Sequence, residues 1–471
     1  MSEARVRLDL NNCLESAVGT EKGVSVKDLD AFSGRLESIH KELDEERRLG
    51  HHSYRDIPAD TLTVDDVKEY ATWARNRFYD ILVIGIGGTS QGAASVVNAL
   101  THPYHNLLPL ENRSGSPRIF FLDNPDPGSL RGVLDVLDLP NTLINVISKS
   151  GSTAEVWANF AAVYEPLRSL VSPDDLKDQV VVTTDGEQGD LVKFALEMNF
   201  RAFVIPKGVG SRYSVLTPAG LLPAALVGVN VDEFMAGAAE VDQLCRANAS
   251  PTKNPAYAYA LIHYLMDELK DVHQNVFYAY ADRLSTMSGW FRQLWAASLG
   301  KKQSVGGDTI HVGPTPIAAL GTVDQHSQNQ LFIEGPADKL VTFVEVADLA
   351  GREPVPDVFT ALDSANYMAN QTVGQLLAVG KKATEYALTR AGRPNVTLTL
   401  PTLDARQVGQ LMMLLMVSTT VLAKLYEVNP YDQPGVEESK IATFALLGKK
   451  GFAERRHEYL GRFPKSERFI V

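Results

Sequence analysis

The sequence predicts an α/β protein made of two doubly wound units with parallel-rich sheets plus flanking helices. Short apolar runs recur from Tyr79 to Ile205 with helix-like segments between them, and the same alternation restarts at Asn275. Runs this apolar, separated by helices, belong to parallel sheets covered on both faces. Length agrees: at about 150 residues per domain, 471 residues suggest two or three units.

Residues 1–75 read as a helical segment, with apolar residues at helical spacing and charge on the other side from Val26 to Arg48. In the first unit, 76–230, strands are expected at Ile81–Gly85, Arg118–Asp123, Leu143–Ile147, Gln179–Thr184 and Ala202–Ile205, with a helix through Ala93 to Leu100. Residues 231–272 read as a helical linker, and the run from Ala249 to Pro255 within it marks a hinge. The second unit, 273–435, opens with a strand at Asn275–Tyr280, then a helix at Leu284–Leu299, a strand at Thr309–Val312 and a helix around His326. A strand at Lys339–Val346, helices from Leu362 to Arg390 and a strand at Asn395–Leu400 follow. Closing helices are expected at Ala405–Tyr426 and at Glu437–Leu447, the latter in a helical tail, 436–471, that carries Lys440.

Composition excludes several function classes. A net charge of -12 argues against a nucleic-acid partner, which needs a basic face, so cations that serve an anionic ligand have to be local. Cys13 and Cys245 are far apart, which leaves no disulfide framework and no CxxC metal site and fits a reducing cytoplasm. The stretch Met1–Leu10 mixes charge with apolar residues and holds no signal-peptide core. Leu411–Leu425 is interrupted by Ser418, Thr419, Thr420 and Lys424 and falls short of the ~20 residues that span a bilayer, so it reads as a buried helix and no membrane partner is expected.

Two strand-end loops carry chemistry. After Ile147 the chain reads Ser148-Lys149-Ser150-Gly151-Ser152-Thr153-Ala154-Glu155, hydroxyls and one lysine entering a helix. Hydroxyls, free N–H groups and the positive end of a helix favour a small phosphorylated ligand there. The bland alternative is helix capping, for which one hydroxyl would suffice. The second loop, Gly85-Ile86-Gly87-Gly88-Thr89-Ser90, lets backbone approach a ligand closely. Ser90 occupies the third glycine position of a dinucleotide fingerprint, and the GxxxxGK[ST] pattern is absent, so neither a nicotinamide cofactor nor nucleotide hydrolysis is expected.

Side by side at the mouth of one sheet, these loops resemble the sugar isomerase (SIS) domain of the glucose-6-phosphate isomerase family. Four further segments extend the resemblance over most of the chain. Val209-Gly210-Ser211-Arg212-Tyr213-Ser214 resembles the family's VGGRYS, and Gln293-Leu294-Trp295-Ala296-Ala297-Ser298-Leu299-Gly300-Lys301 its QLxxESxGK. Asp324-Gln325-His326-Ser327 resembles its histidine motif, and Asn429 to Lys440 its Gln-then-Lys signature. The resemblance implies two SIS-type α/β/α domains and a cofactor-free, metal-free isomerase of hexose 6-phosphates. It also implies a homodimer in which His326 is contributed across the interface.

Aldose–ketose conversion needs an acid/base group at the ring oxygen, a base that moves a proton between carbons, and a cation beside the enediolate. By resemblance His326 and Lys440 serve ring opening, Arg212 the enediolate, and Gln293 and Gln433 the sugar hydroxyls. Gly87, Gly88, Thr89, Ser148, Lys149, Ser150, Ser152 and Thr153 hold phosphate, and Glu155 tunes the histidine. Taken singly, each has a bland reading: a surface histidine, an arginine paired to a carboxylate, a solvated lysine. Six segments in the family's order outweigh them.

One position departs. The family's proton shuttle is the glutamate of QLxxESxGK, and here that position is Ala297. A methyl group accepts no proton, and general-base catalysis is worth roughly 10²- to 10⁴-fold, about 3 to 5 kcal/mol. Gln293, Ser298, Gly300 and Lys301 keep the pattern, which points to one replacement rather than decay. Thr89 in place of the usual serine keeps its hydroxyl, while Ser211 in place of glycine narrows the approach beside Arg212. The expectation is weak or absent turnover with binding retained. The rival readings are a non-catalytic sugar-phosphate-binding protein and a metal-dependent isomerase, for which no ligand cluster is seen.

Overall fold

The computed structural model describes residues 5–51, 53–462 and 465–471. Its strands, in chain order, are β1 (Arg7–Asp9), β2 (Asp80–Ile84), β3 (Arg118–Leu122), β4 (Thr142–Ser148), β5 (Val180–Thr184), β6 (Arg201–Val204), β7 (Gln274–Tyr280), β8 (Lys301–Gln303), β9 (Thr309–Val312), β10 (Thr315–Leu320), β11 (Lys339–Val346) and β12 (Asn395–Leu400). The first sheet runs β3-β2-β4-β5-β6, parallel throughout. The second runs β1-β12-β11-β7-β10, parallel except for β1. With helices between its strands, each sheet is doubly wound, so the expected α/β class and its parallel-rich sheets are what the chain adopts.

Every residue of β2, β4 and β5 is buried, because both faces are covered and side chains alternate into two cores. The edge strands β3 and β6 are partly exposed. Chain order reverses between β2 and β4 in the first sheet and between β7 and β11 in the second. Open α/β sheets leave a crevice at such reversals, outside the carboxyl ends of the strands.

Four expectations need correction. The N-terminal segment is not wholly helical: Arg7–Asp9 pairs antiparallel with Thr397–Thr399 and closes the second sheet, while residues 1–4 lie outside the described residues. The Val26–Arg48 stretch is broken at Phe32 into helices Val26–Ala31 and Ser33–Arg48. Thr309–Val312 forms a separate hairpin with β8, and the strand beside β7 is Thr315–Leu320. Pro316 is accommodated there because β10 lies at the sheet edge. The 249–255 run is a locked turn rather than a hinge. Asn254 is fully buried, accepts from the N–H groups of Ala256 and Tyr257 at 3.2 Å, and donates to the carbonyls of Cys245 and Asn248.

One apolar core joins the two sheets. At its centre the Ala405–Leu425 helix packs against the helices Val231–Ala247 and Pro255–Lys270. The polar residues Ser418, Thr419 and Thr420 are tolerated there because each hydroxyl donates to the carbonyl four residues back, at 2.7, 2.8 and 3.1 Å. The helices that follow β2 and β7, Gly88–Leu100 and Ser285–Leu299, also pack together. Ser95 Oγ donates to Thr286 O at 2.9 Å and Asn98 Nδ2 to Arg283 O at 3.0 Å. This contact carries side chains of the second half to the mouth of the first sheet.

Candidate active site

A cavity of about 750 Å³ opens where β2 and β4 end. After β2 the chain turns at Gly87, whose φ of 65° suits glycine, and enters the helix at Gly88. A Cβ on Gly88 would lie 2.5 Å from Ser211 O and 2.8 Å from Arg212 Cα, so two backbones meet there without room for a side chain. Thr89 is buried and donates to Ile86 O at 3.1 Å.

After β4 the hydroxyls converge. Ser148 Oγ and Thr153 Oγ1 are 2.9 Å apart, Ser150 Oγ lies 3.4 Å from Thr153 Oγ1, and Ser152 Oγ donates to Ser150 Oγ at 3.3 Å. Thr153 is the N-cap of the Ala154–Leu170 helix yet makes no side-chain cap bond, and Gly87 cannot cap its own. The capping explanation therefore fails: two helix N-termini meet at one cavity with hydroxyls gathered beside them, which suits an anion. Lys149 Nζ donates to Val209 O. Burial holds the ammonium below the usual lysine pKa, with Asp185 acting the other way.

The second half and the C-terminal segment supply the opposite wall. Gln293, from the Ser285–Leu299 helix, lines the cavity with its Oε1 buried and without a partner among the described residues. Gln433, Glu437, Ser439, Lys440, Thr443 and Phe444 line it from the other side. Lys440 is exposed and pairs with Glu437 at 2.7 Å. Glu155, in the first turn of its helix, faces the same space.

Arg212 sits behind Gln433 and is 5% exposed. Its Nε donates to Ser298 Oγ at 3.3 Å, Nη1 to Gln433 Oε1 at 2.8 Å, and Nη2 to Pro430 O and Asp432 O at 2.9 and 3.0 Å. Of the five N–H donors of a guanidinium, one on Nη1 is left over. Burial pulls its pKa below the usual arginine value, offset in part by Tyr213 and Asp432.

The structure thus gathers Gly87, Gly88, Thr89, Ser148, Lys149, Ser150, Ser152, Thr153, Glu155, Gln293, Gln433 and Lys440 around one cavity. Ala297 lies one turn beyond Gln293, half-buried, and is not among the lining residues. His326 is not brought in. Instead of a helix, it follows a 3-10 turn, Val323–Gln325, just past β10, and it is exposed at the carboxyl edge of the second sheet. Asp185 and Gln188, from the loop after β5, also line the cavity. Their position at the end of a strand neighbouring β4 was the available signal. No group of three His, Cys, Asp or Glu able to hold a metal occurs among the described residues.

Comparison with known proteins shows the family. The family model for phosphoglucose isomerase matches residues 63–450. The chain is 37% identical over 467 residues to a glucose-6-phosphate isomerase of Carboxydothermus hydrogenoformans, covering 99% of each. It is 40% identical over 451 residues to that of Rubrobacter xylanophilus, covering 95% of this chain and 99% of the relative. Among solved structures, a hypothetical protein of Thermus thermophilus superposes with a TM-score of 0.83 at 35% identity, covering 94% of this chain and all of that one. A glucose-6-phosphate isomerase of Chlamydia trachomatis shares the fold, with a TM-score of 0.77 at 20% identity over 98% of this chain and 90% of the other.

Proposed function

The chain belongs to the phosphoglucose isomerase family, and from that membership we propose that it binds hexose 6-phosphates and is built to interconvert glucose 6-phosphate and fructose 6-phosphate. The observation that carries this reading is the meeting of two uncapped helix N-termini and four hydroxyls at the β2/β4 reversal, opposite Gln293, Gln433 and Lys440. Phosphate held by Thr89, Lys149 and the Ser148–Thr153 loop would direct the sugar toward that amide-lined wall. Gln293 Oε1, buried and without a partner among the described residues, is an acceptor for a sugar hydroxyl, since leaving it unmet costs about 1–3 kcal/mol.

Lys440 and His326 would handle the ring-oxygen proton, and the remaining Nη1 proton of Arg212 would face the enediolate oxygen. The exposed position of His326 at the second sheet's edge supports its delivery to the cavity of a second copy in a homodimer. Glu155 would then meet that imidazole. Position 297, where the proton shuttle is expected, carries only a methyl group. The chain should therefore bind its substrates and turn them over slowly.

The test is a coupled isomerase assay of the chain beside Ala297→Glu. A gain of roughly 10²- to 10⁴-fold in kcat is expected. Equal rates in the two would mean that Ala297 does not stand at the base position.

A further inference from the structure

Lys301 follows the helix that carries Gln293 and Ala297, and its side chain is 4% exposed. One reading makes it a plain C-terminal cap, and it does donate to Ala297 O at 2.9 Å. The same ammonium, however, donates to Asp432 O at 2.9 Å and pairs with Asp432 Oδ1 at 3.3 Å, across 131 residues of sequence. Asp432 O also accepts from Arg212 Nη2 at 3.0 Å, and the next residue, Gln433, accepts from Arg212 Nη1.

Two buried cations thus converge on one backbone carbonyl beside a half-exposed carboxylate. Burial lowers the pKa of each, Asp432 acts the other way on both, and Arg212 lowers that of Lys301 by a smaller amount. Capping accounts for the bond to Ala297 O, but a second buried cation beside Arg212 adds desolvation and repulsion. Capping leaves that arrangement unexplained. A tie between the helix that carries Gln293 and the segment that presents Gln433 accounts for it, because Lys301 holds the carbonyl of position 297 on the one and Asp432 on the other.

We propose that Lys301 is a positioning residue that ties the helix end bearing position 297 to the Asp432–Gln433 segment, and so sets the spacing of position 297, Arg212 and Gln433 around the sugar. The proposal rests on the function above only in taking these groups to face a sugar. Because Lys301 bonds to Ala297 and Asp432 and to neither phosphate loop, loss of the tie is expected to act on the sugar more than on phosphate.

Lys301→Met and Lys301→Arg, each made in this chain and in Ala297→Glu, test it through amide hydrogen exchange, affinities for inorganic phosphate and fructose 6-phosphate, and kcat with KM. Lys301→Met is expected to speed exchange at residues 429–436 while the 405–425 helix keeps its protection. It should weaken fructose 6-phosphate more than inorganic phosphate and, in the Ala297→Glu background, cut kcat by about 10²-fold, the scale of a small misplacement. Lys301→Arg should restore most of each. Unchanged exchange at 429–436, an equal rise in the 405–425 helix, or parallel losses of phosphate and sugar affinity would each overturn the tie and leave a structural cap. If Ala297→Glu does not isomerise while exchange and the affinity split respond as expected, the functional reading fails and the positioning role stands. If fructose 6-phosphate does not bind at all, the functional reading fails too, and exchange at 429–436 alone decides the tie.

Discussion

In the first sheet the strands at the order reversal, β2 and β4, run into Gly85–Gly88 and Ser148–Thr153, while in the second the equivalent β7 and β11 run into the 3-10 turns Asp282–Leu284 and Ala347–Gly351. The first pair of loops is glycine and hydroxyl, and each leads into a helix. In the second pair Arg283 is half-buried, Arg352 pairs with Asp348 at 2.5 Å, and β11 leads into a 3-10 turn rather than an α-helix. Both reversals offer a crevice in principle. Small residues and hydroxyls line the first, while the second carries Arg283 and the Arg352–Asp348 pair in their place. Topology thus marks where a ligand could sit, and loop chemistry decides whether one does.

The largest effect that would sharpen this contrast comes from filling the backbone contact at Gly88. Gly88→Ala places a Cβ 2.5 Å from Ser211 O, and should abolish phosphate binding by calorimetry and lower unfolding stability by about 1–3 kcal/mol. Arg283→Ala, at the equivalent place in the second sheet, should leave phosphate affinity unchanged. Equal losses from both would break the contrast.

Next come the hydroxyls. Hydrogen bonds to charged groups are worth about 1.5–3 kcal/mol, so Ser148→Ala and Thr153→Val should each weaken phosphate by roughly 10- to 10²-fold. Their melting temperatures should hold, because Thr153 caps nothing. Thr372→Ala in the second half should do the reverse. Its hydroxyl caps the Val373–Arg390 helix through Gln375 N at 2.9 Å, so about 1 kcal/mol of stability goes while phosphate binding stays.

A smaller effect follows from Lys149. The ammonium attracts phosphate, and burial lowers its pKa, so affinity should fall with rising pH before an ordinary lysine near 10.4 would lose its proton. Lys149→Met should bind less tightly and lose that alkaline decline, as read from phosphate titrations over a pH series. Smallest of all is His326→Ala, which should leave phosphate affinity unaltered, since its proposed role is at the sugar ring oxygen and not at phosphate.

The strands β2, β4 and β5 were legible because their residues are apolar on both faces, and burial on both sides leaves no other pattern. β10 was hidden by Pro316, which reads against a strand until its edge position is known. β1 was hidden because three residues, Arg7-Leu8-Asp9, carry too little apolar signal by themselves. The Ala249–Pro255 run has the composition of a linker, and the burial of Asn254 is what makes it rigid.

The amino-acid sequence alone determined the α/β class, the two anion-type loops, the family resemblance and the alanine at position 297, because each of these is written in adjacent residues or in a local period. Tertiary structure alone decided that the hydroxyls do not cap their helix, that Arg212 spends four donors on the protein, that Lys301 reaches Asp432, and that His326 stands apart from the cavity. Those outcomes depend on partners as far apart as the 221 residues between Arg212 and Gln433. No local pattern encodes such pairings, because they arise only when sheet order and helix packing bring distant loops to one place.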